Sequence, residues 1–423
     1  MDRKILQNLE QVNWDFSDYN SMKYPLDINS LPWYPATFPP QIPRFLLSLL
    51  SKEGEVVLDP FGGKGTTAIE TLKQNRIFLY NDINPFAVEM SNELINIIVT
   101  MSISAYIFDE IIKKDTAELK FVRNDIDAKI SVEKDEKSIL SFYKIDIKKE
   151  LSDLGINSEV VFWYHPETLL QLVNIFKIIE RDKLLHSELF YIRKFALLTI
   201  LKETSSQRGH FTYVTDNCRP KKLIYYNAVK CYLNMLERIK LSSNDLLRQF
   251  EVQYPRGSVV DLINKSQICE GDARNLEWIV DESVDLVITS PPYLCAQDYI
   301  KTMRLMNFFF PTESFFESIK KEIGSRNRRN GKKEKVVADF YDDMNQAFRE
   351  IWRTLKKNGY FCLIIGQGKG KISQGCDTIE ALNKMLKNEL NFDEIFRTSR
   401  KISFKSVRNG GVDTEEIIIF QKK

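Results

Sequence analysis

The sequence predicts an α/β fold, an open and mostly parallel sheet whose rhythm is interrupted by a mainly helical domain. Val56-Val57-Leu58 and Ile77 to Tyr80 are short apolar runs, each followed by a turn and a helical pattern, which is the alternation of a parallel sheet. Asp285 to Thr289 is a further run of this kind that meets Pro291 and Pro292, where a strand cannot continue and the backbone must leave the sheet with its carbonyls exposed. Between about residues 100 and 265 the alternation stops and helical periodicity replaces it.

A chain of 423 residues, 43% hydrophobic and 28% charged, is too long for one ordinary core. Its pattern divides it into an extension at 1–30 with little periodicity, an α/β domain built from 31–99 and 266–423, and the insertion at 100–265. With 60 Lys and Arg against 58 Asp and Glu, the net charge of +2 does not announce nucleic acid, so any such affinity must come from local basic patches. No long uncharged apolar run is present, and the opening Met1-Asp2-Arg3-Lys4 lacks an apolar signal region. Neither a membrane span nor export is therefore expected, and the cytoplasm is the expected compartment. Six cysteines without a Cys-x-x-Cys pair, and three histidines, argue against structural zinc or a disulfide framework, and no metal is expected.

Leu31 to Pro40 is a rigid loop of prolines and aromatics, followed by a helix over Ile42 to Leu50 with proline in its first turn. The strand at Val56 to Leu58 then meets Asp59-Pro60-Phe61-Gly62-Gly63-Lys64-Gly65-Thr66-Thr67, a glycine turn opening a helix capped by Thr66 or Thr67. Glycines at 62, 63 and 65 remove every Cβ where a ligand would touch backbone. A P-loop is disfavoured, since it needs glycine at 58 and Ser or Thr at 65, whereas Leu58 and Gly65 stand there. The loose dinucleotide pattern Gly63-x-Gly65-x-x-Ala68 fits formally. The second strand ends in Asn81-Asp82, and an acidic residue there suits two ribose hydroxyls, a role compatible with capping the helix that begins at Pro85.

Residues 109–151 alternate Lys with Asp and Glu, the pattern of a solvated helical surface, while 168–202 and 223–248 read as helices. Arg208, His210, Lys221 and Lys222 lie in the polar loop between those helices, and Arg326, Arg328, Arg329 and Lys332 lie in a basic loop further on. Both sets are the types that contact phosphate, and both are also what ordinary solvated loops contain. Gln267 to Glu270 is a short strand leading into Gly271-Asp272-Ala273, and Gln297 to Phe310 reads as a helix. A helix at 339–356, a strand at 359–365, a helix at 377–388 and strands at 392–395 and 416–420 complete the chain.

Ser290-Pro291-Pro292-Tyr293 resembles the catalytic tetrapeptide Ser/Asp/Asn-Pro-Pro-Tyr/Phe/Trp of the DNA amino-methyltransferases, in the Ser form typical of cytosine-N4 enzymes. The glycine turn resembles the cofactor motif Asp-Pro-Phe-x-Gly-x-Gly-Thr-Thr of the same family. The resemblance covers 31–98 and 267–421, and it implies a Rossmann-like S-adenosylmethionine (SAM) methyltransferase sheet carrying a mainly helical inserted domain. It further implies that Tyr34, Ala36, Thr37 and Phe38 help to enclose SAM. Asp59 would pair with its ammonium, and the loop of Pro60, Phe61, Gly62, Gly63, Gly65, Thr66 and Thr67 would hold its carboxylate. Asp82 would take the ribose with Asn84 beside it, and Asp272 and Ala273 the adenine.

Ser290 Oγ and the Pro291 carbonyl would accept the hydrogens of a target amino group, Pro292 would fix that carbonyl, and Tyr293 would stack on a base flipped out of double-stranded DNA. No Pro-Cys dipeptide occurs, so the covalent chemistry of carbon-5 methylation is not expected. A cognate restriction endonuclease is the partner implied if the chain serves restriction-modification, with target recognition by the insertion inferred from its position alone. Adenine N6 methylation, RNA base methylation and a non-catalytic DNA-binding module remain open, and a nicotinamide oxidoreductase is the remotest reading.

Overall fold

The computed structural model describes residues 3–16, 26–31, 34–35, 37–104, 106–120, 139–143, 145–185, 189–207, 219–220, 222–255, 257–325, 332–368, 372–402 and 414–423. Its strands are β1 (Val56–Asp59), β2 (Ile77–Asp82), β3 (Gln267–Glu270), β4 (Val284–Thr289), β5 (Leu355–Gly366), β6 (Phe392–Lys401) and β7 (Thr414–Lys422). They form one sheet in the order β3-β2-β1-β4-β5-β7-β6. Neighbours from β3 through to β5 pair in parallel, and β7 runs antiparallel to both β5 and β6. The chain builds outward from β1 to β2 and β3, then returns to lay β4 on the other side of β1. That reversal opens a crevice outside the carboxyl ends of β1 and β4, the place where open α/β sheets bind ligands.

The helices are α1 (Arg3–Gln11), α2 (Gln41–Leu50), α3 (Thr66–Lys73), α4 (Pro85–Ile103), α5 (Ile107–Leu119), α6 (Ile147–Asp153), α7 (Pro166–Leu184), α8 (Leu189–Thr204), α9 (Ala228–Gln253), α10 (Ser258–Lys265), α11 (Arg304–Phe309), α12 (Ser314–Lys321), α13 (Lys333–Thr354) and α14 (Thr378–Asn388). Alternation along the strands buries both faces of the sheet. Val57, Leu286, Ile288, Ile364, Ile417 and Ile419 pack with Leu9 of α1 and with Ile42, Leu46 and Leu47 of α2. Leu58, Val287, Phe361, Leu363, Ile418 and Phe420 pack with Phe340, Met344 and Phe348 of α13 and with Leu382 and Leu386 of α14.

The first thirty residues are less featureless than the sequence suggested, because α1 seats Ile5 and Leu9 on the sheet, with Val12 just beyond its end. Further along, Asn29 donates to the buried Glu70 of α3 at 2.8 Å, and Arg44 of α2 donates to the same carboxylate at 2.8 Å. A second difference lies at 297–310, where a helix was expected. Irregular backbone reaches a short 3-10 turn at Lys301–Met303 and only then α11. This segment is tied to the chain at 322–324, since Cys295 N donates to Gly324 O at 2.8 Å and Tyr299 N to Glu322 Oε1 at 2.5 Å.

The described residues from 107 to 265 are mainly helical, and their apolar side chains join one continuous cluster with Phe78 and Tyr80 of β2 and with α4. By length and composition α4 could cross a membrane, but 67% of its apolar window is buried in this cluster. Inside the helical region, Arg193 of α8 is fully buried with Asp115 of α5 and Asp182 of α7, and Tyr232 of α9 donates to Asp115 at 2.9 Å. One guanidinium thus holds two carboxylates and, through them, four helices. Removing it leaves two buried charges without a counter-ion, a change that typically costs about 3–5 kcal/mol. Arg193→Leu is expected to lower the stability of the whole chain by that order, read from the urea midpoint; an unchanged midpoint would show the network to be dispensable.

Candidate functional site

At the carboxyl ends of β1, β2 and β4 lies a cleft of about 870 Å³, counting its open mouth. The glycine turn forms one wall. Gly65, at φ +80°, is the N-cap of α3 and offers no side-chain cap, whereas Thr66 or Thr67 was expected to fill that place. The threonines do other things. Thr67 Oγ1 donates to Asp59 Oδ2 at 2.7 Å, and Thr66 Oγ1 is buried on the cleft wall without a hydrogen-bond partner. Gly62 also departs from the expectation that its missing Cβ makes room for a ligand. A Cβ there would lie 2.2 Å from the ring of Tyr80, which crosses under the turn and donates to Gly63 O at 2.6 Å.

Asp59 is buried and does not line the cleft. It accepts from Thr289 Oγ1 at 2.6 Å, from Thr67 and from Phe61 N at 3.2 Å, and burial raises its pKa to about 6 in spite of these bonds. The ammonium expected for it finds its oxygens already committed to the protein. Asp82 does line the cleft, accepting from Gly63 N at 2.7 Å and from Asn84 N at 2.8 Å. Burial again dominates and raises its pKa to about 6. The helix cap belongs to Asn84, whose Oδ1 accepts from Phe86 N at 3.1 Å.

The other sequence candidates divide as follows. Tyr34, Thr37, Phe38, Pro60, Phe61, Gly62, Gly63, Thr66, Asp82, Asn84, Asp272, Ala273, Ser290, Pro292 and Tyr293 line the cleft together. Pro291, Gly65 and Thr67 do not, and Ala36 lies outside the described residues. Asp272 is braced by Arg274, whose Nε donates to it at 2.9 Å. Of the cations expected to meet nucleic acid, Lys222 and Lys332 are exposed, while Arg208, His210, Lys221, Arg326, Arg328 and Arg329 lie outside the described residues. Arg219 is engaged within the protein, with Glu159 at 2.8 Å and over the ring of Phe162.

Several residues that pattern reading passed over complete the wall. Tyr299 stacks on Tyr34 with centroids 6.3 Å apart, and Lys64 donates to Asn29 O at 2.6 Å, with its pKa lowered to about 8 by burial. Glu322 is 3% exposed, its Oε2 has no partner, and burial holds its pKa well above the usual carboxylate range. A lone acidic residue at the end of a charged helix carries no sequence signal, since only the fold turns it inward. At the corner after β4, Ser290 Oγ lies 3.4 Å from the hydroxyl of Tyr293, which donates to Glu415 of β7 at 2.9 Å. Burial keeps that phenol protonated through the physiological range.

The site therefore combines a Rossmann-like sheet with an antiparallel β7, a glycine turn after β1 and a Ser-Pro-Pro-Tyr corner after β4. Residues 3–93 match the family model described as DNA methylase. The type II methyltransferase M.MjaI of Methanocaldococcus jannaschii is 32% identical over 119 residues, a match taking in 27% of this chain and 37% of that one. M.MvaI of Kocuria varians is 23% identical over 424 residues, taking in 91% and 86%. M.MjaII of M. jannaschii is 19% identical over 423 residues, taking in 85% and 76%. The chain is thus similar to type II methyltransferases, although it spans little more than a third of the length of M.MjaI.

The packing under the glycine turn has a direct consequence. Gly62→Ala is expected to destabilise the protein by about 1–3 kcal/mol, the ordinary cost of overpacking, because the new methyl meets an aromatic ring and not a flexible chain end. Thermal unfolding of Gly62→Ala alone and combined with Tyr80→Leu checks this: the second change should recover part of the loss, and purely additive losses would refute the clash.

Proposed function

We propose that the chain transfers a methyl group from SAM to the exocyclic N4 of a cytosine flipped out of duplex DNA, acting in the cytoplasm as the modification arm of a restriction-modification or related system. The observation that carries this reading is the convergence of Ser290, Pro292 and Tyr293 with Asp82 and the glycine turn on one cleft. The cleft suits the cofactor on its own evidence, because it holds orphaned buried oxygens at Thr66 and Glu322 together with the strand-end carboxylate of Asp82. SAM when bound supplies an electrophilic methyl group on sulfur.

Asp82 would accept from the ribose hydroxyls. Glu322 is the candidate for the ammonium that Asp59 is not free to take. Thr66 Oγ1, which has no partner in the protein, would meet the carboxylate, and Asp272 and Ala273 would hold the adenine. Cytosine N4 is a weak nucleophile because its lone pair is delocalised into the ring. Ser290 Oγ and the Pro291 carbonyl, by accepting its two hydrogens, draw the amino group toward a tetrahedral geometry, and the ring of Tyr293 supports the base. Catalysis is then mostly positioning and stabilisation of developing charge. The insertion at 100–265 and the basic loops at 208–222 and 326–332 are the proposed DNA-reading surface.

Incubating the protein with tritiated SAM and unmethylated duplex DNA, then digesting to nucleosides for mass spectrometry, should yield N4-methylcytosine. Ser290→Ala should lower the rate by about a hundredfold or more. N6-methyladenine as the product would move the assignment to adenine, and label in RNA alone would refute the DNA reading.

Cofactor affinity should depend on pH. Burial favours the protonated form of Asp82, so in the free protein its contribution to stability is present at low pH and is lost as pH rises from about 4 to about 6. A ligand that needs the carboxylate must displace that proton below pH 6. SAM affinity, by calorimetry, should therefore rise about tenfold from pH 5 to pH 7 with proton release at the acid end. At pH 7 Glu322→Gln should weaken SAM while sparing 5′-methylthioadenosine, which lacks the ammonium; equal weakening of both would remove Glu322 from that role.

A further inference from the structure

Among the described residues, the closing hairpin of β6 and β7 contributes no side chain to the wall of the cleft, yet it reaches the catalytic corner through one hydrogen bond. Glu415 is the cross-strand partner of Arg400, and it pairs with Gly366 of β5 on its other side. Arg400 Nη1 donates to Glu415 Oε2 at 2.5 Å, and the two side chains are 5% and 13% exposed. The other oxygen, Oε1, accepts from Tyr293, whose own oxygen lies 3.4 Å from Ser290 Oγ. Four groups therefore stand in a row, from a buried guanidinium to the serine that faces the base.

The order of donors along this row is not symmetrical. Two hydroxyls in contact can each donate or accept, so Ser290 and Tyr293 by themselves leave the direction open. An ionised carboxylate can only accept. With Oε1 of Glu415 at its edge, Tyr293 must donate outward, and its oxygen then has only lone pairs to offer Ser290. Ser290 donates to Tyr293 and turns its own lone pairs toward the cleft, which is the polarity needed to accept a hydrogen from an amino group. The reverse polarity would aim a hydroxyl hydrogen at the amino group and repel it.

We propose that Glu415, held by Arg400, is a positioning residue that orients the Tyr293 and Ser290 hydroxyls so that Ser290 accepts from the target amino group; this rests on the methyltransferase reading of the cleft. Glu415 never touches the base. It acts through the direction of two hydrogen bonds.

Glu415→Gln tests this at constant shape. Beside Arg400 the amide places its carbonyl toward the guanidinium and its NH2 toward Tyr293, which reverses the row. The expected result is a fall in kcat of about tenfold or more, with KM for DNA and SAM affinity unchanged. In a Tyr293→Phe background, where the row is already broken, Glu415→Gln should cause no further loss. Tyr293→Phe alone keeps the ring and should lower kcat by about tenfold, an arm that stands even if the Glu415 variant does not fold. Wild-type kcat in either single variant, or an equal loss from Glu415→Gln in both backgrounds, overturns the inference. An inactive wild-type protein overturns the methyltransferase reading instead, so the two failures are distinguishable.

Discussion

The carboxylate of Asp59 is the point on which the site depends. It ends β1, binds Thr67 at the start of α3 and binds Thr289 at the end of β4, and so locks the glycine turn to the strand that presents Ser290. Hydrogen bonds to a charged group contribute roughly 1.5–3 kcal/mol each when buried, and here they offset only part of the desolvation, so the pKa of Asp59 still rises to about 6. Because Thr67 and Thr289 lie on different elements, this one side chain sets the distance between the glycine turn and the corner after β4. Asp59 therefore holds the two sides of the cleft together, its own oxygens being engaged within the protein.

A second layer of fixed packing lies beneath the cleft. Tyr80 fills the space that a side chain at 62 would need and bonds the carbonyl of the next residue, so the turn rests on an aromatic plate. Asp82, two residues later on the same strand, accepts Gly63 N from the opposite side. The glycine turn is consequently held from strand β2 at two points, and a ligand approaching it meets backbone that does not need to reorganise.

The inserted helices do not stand apart as a separately cored body, because their apolar cluster is continuous with β2 and α4. Burying Arg193 with two aspartates at its centre gives that cluster a directional contact that apolar packing alone would lack. Such continuity fixes the orientation of this helical region relative to the sheet.

By itself the sequence determined the parallel strands at 56, 77 and 284, the glycine turn, the acidic strand end at Asp82 and the Ser-Pro-Pro-Tyr corner. Each of these is a local matter of periodicity, glycine or proline chemistry within a dozen residues. α1 was also within reach, since Ile5, Leu9 and Val12 lie at helical spacing, although the signal is short. What only the tertiary structure decided are the partners. Asp59 meets Thr289 across 230 positions, and Tyr293 meets Glu415 across 122. Glu322 meets Tyr299 N across 23 positions. No local pattern marks these residues, because a carboxylate's role is set by which donors the folded chain brings to it, and that choice is made only when distant strands close side by side.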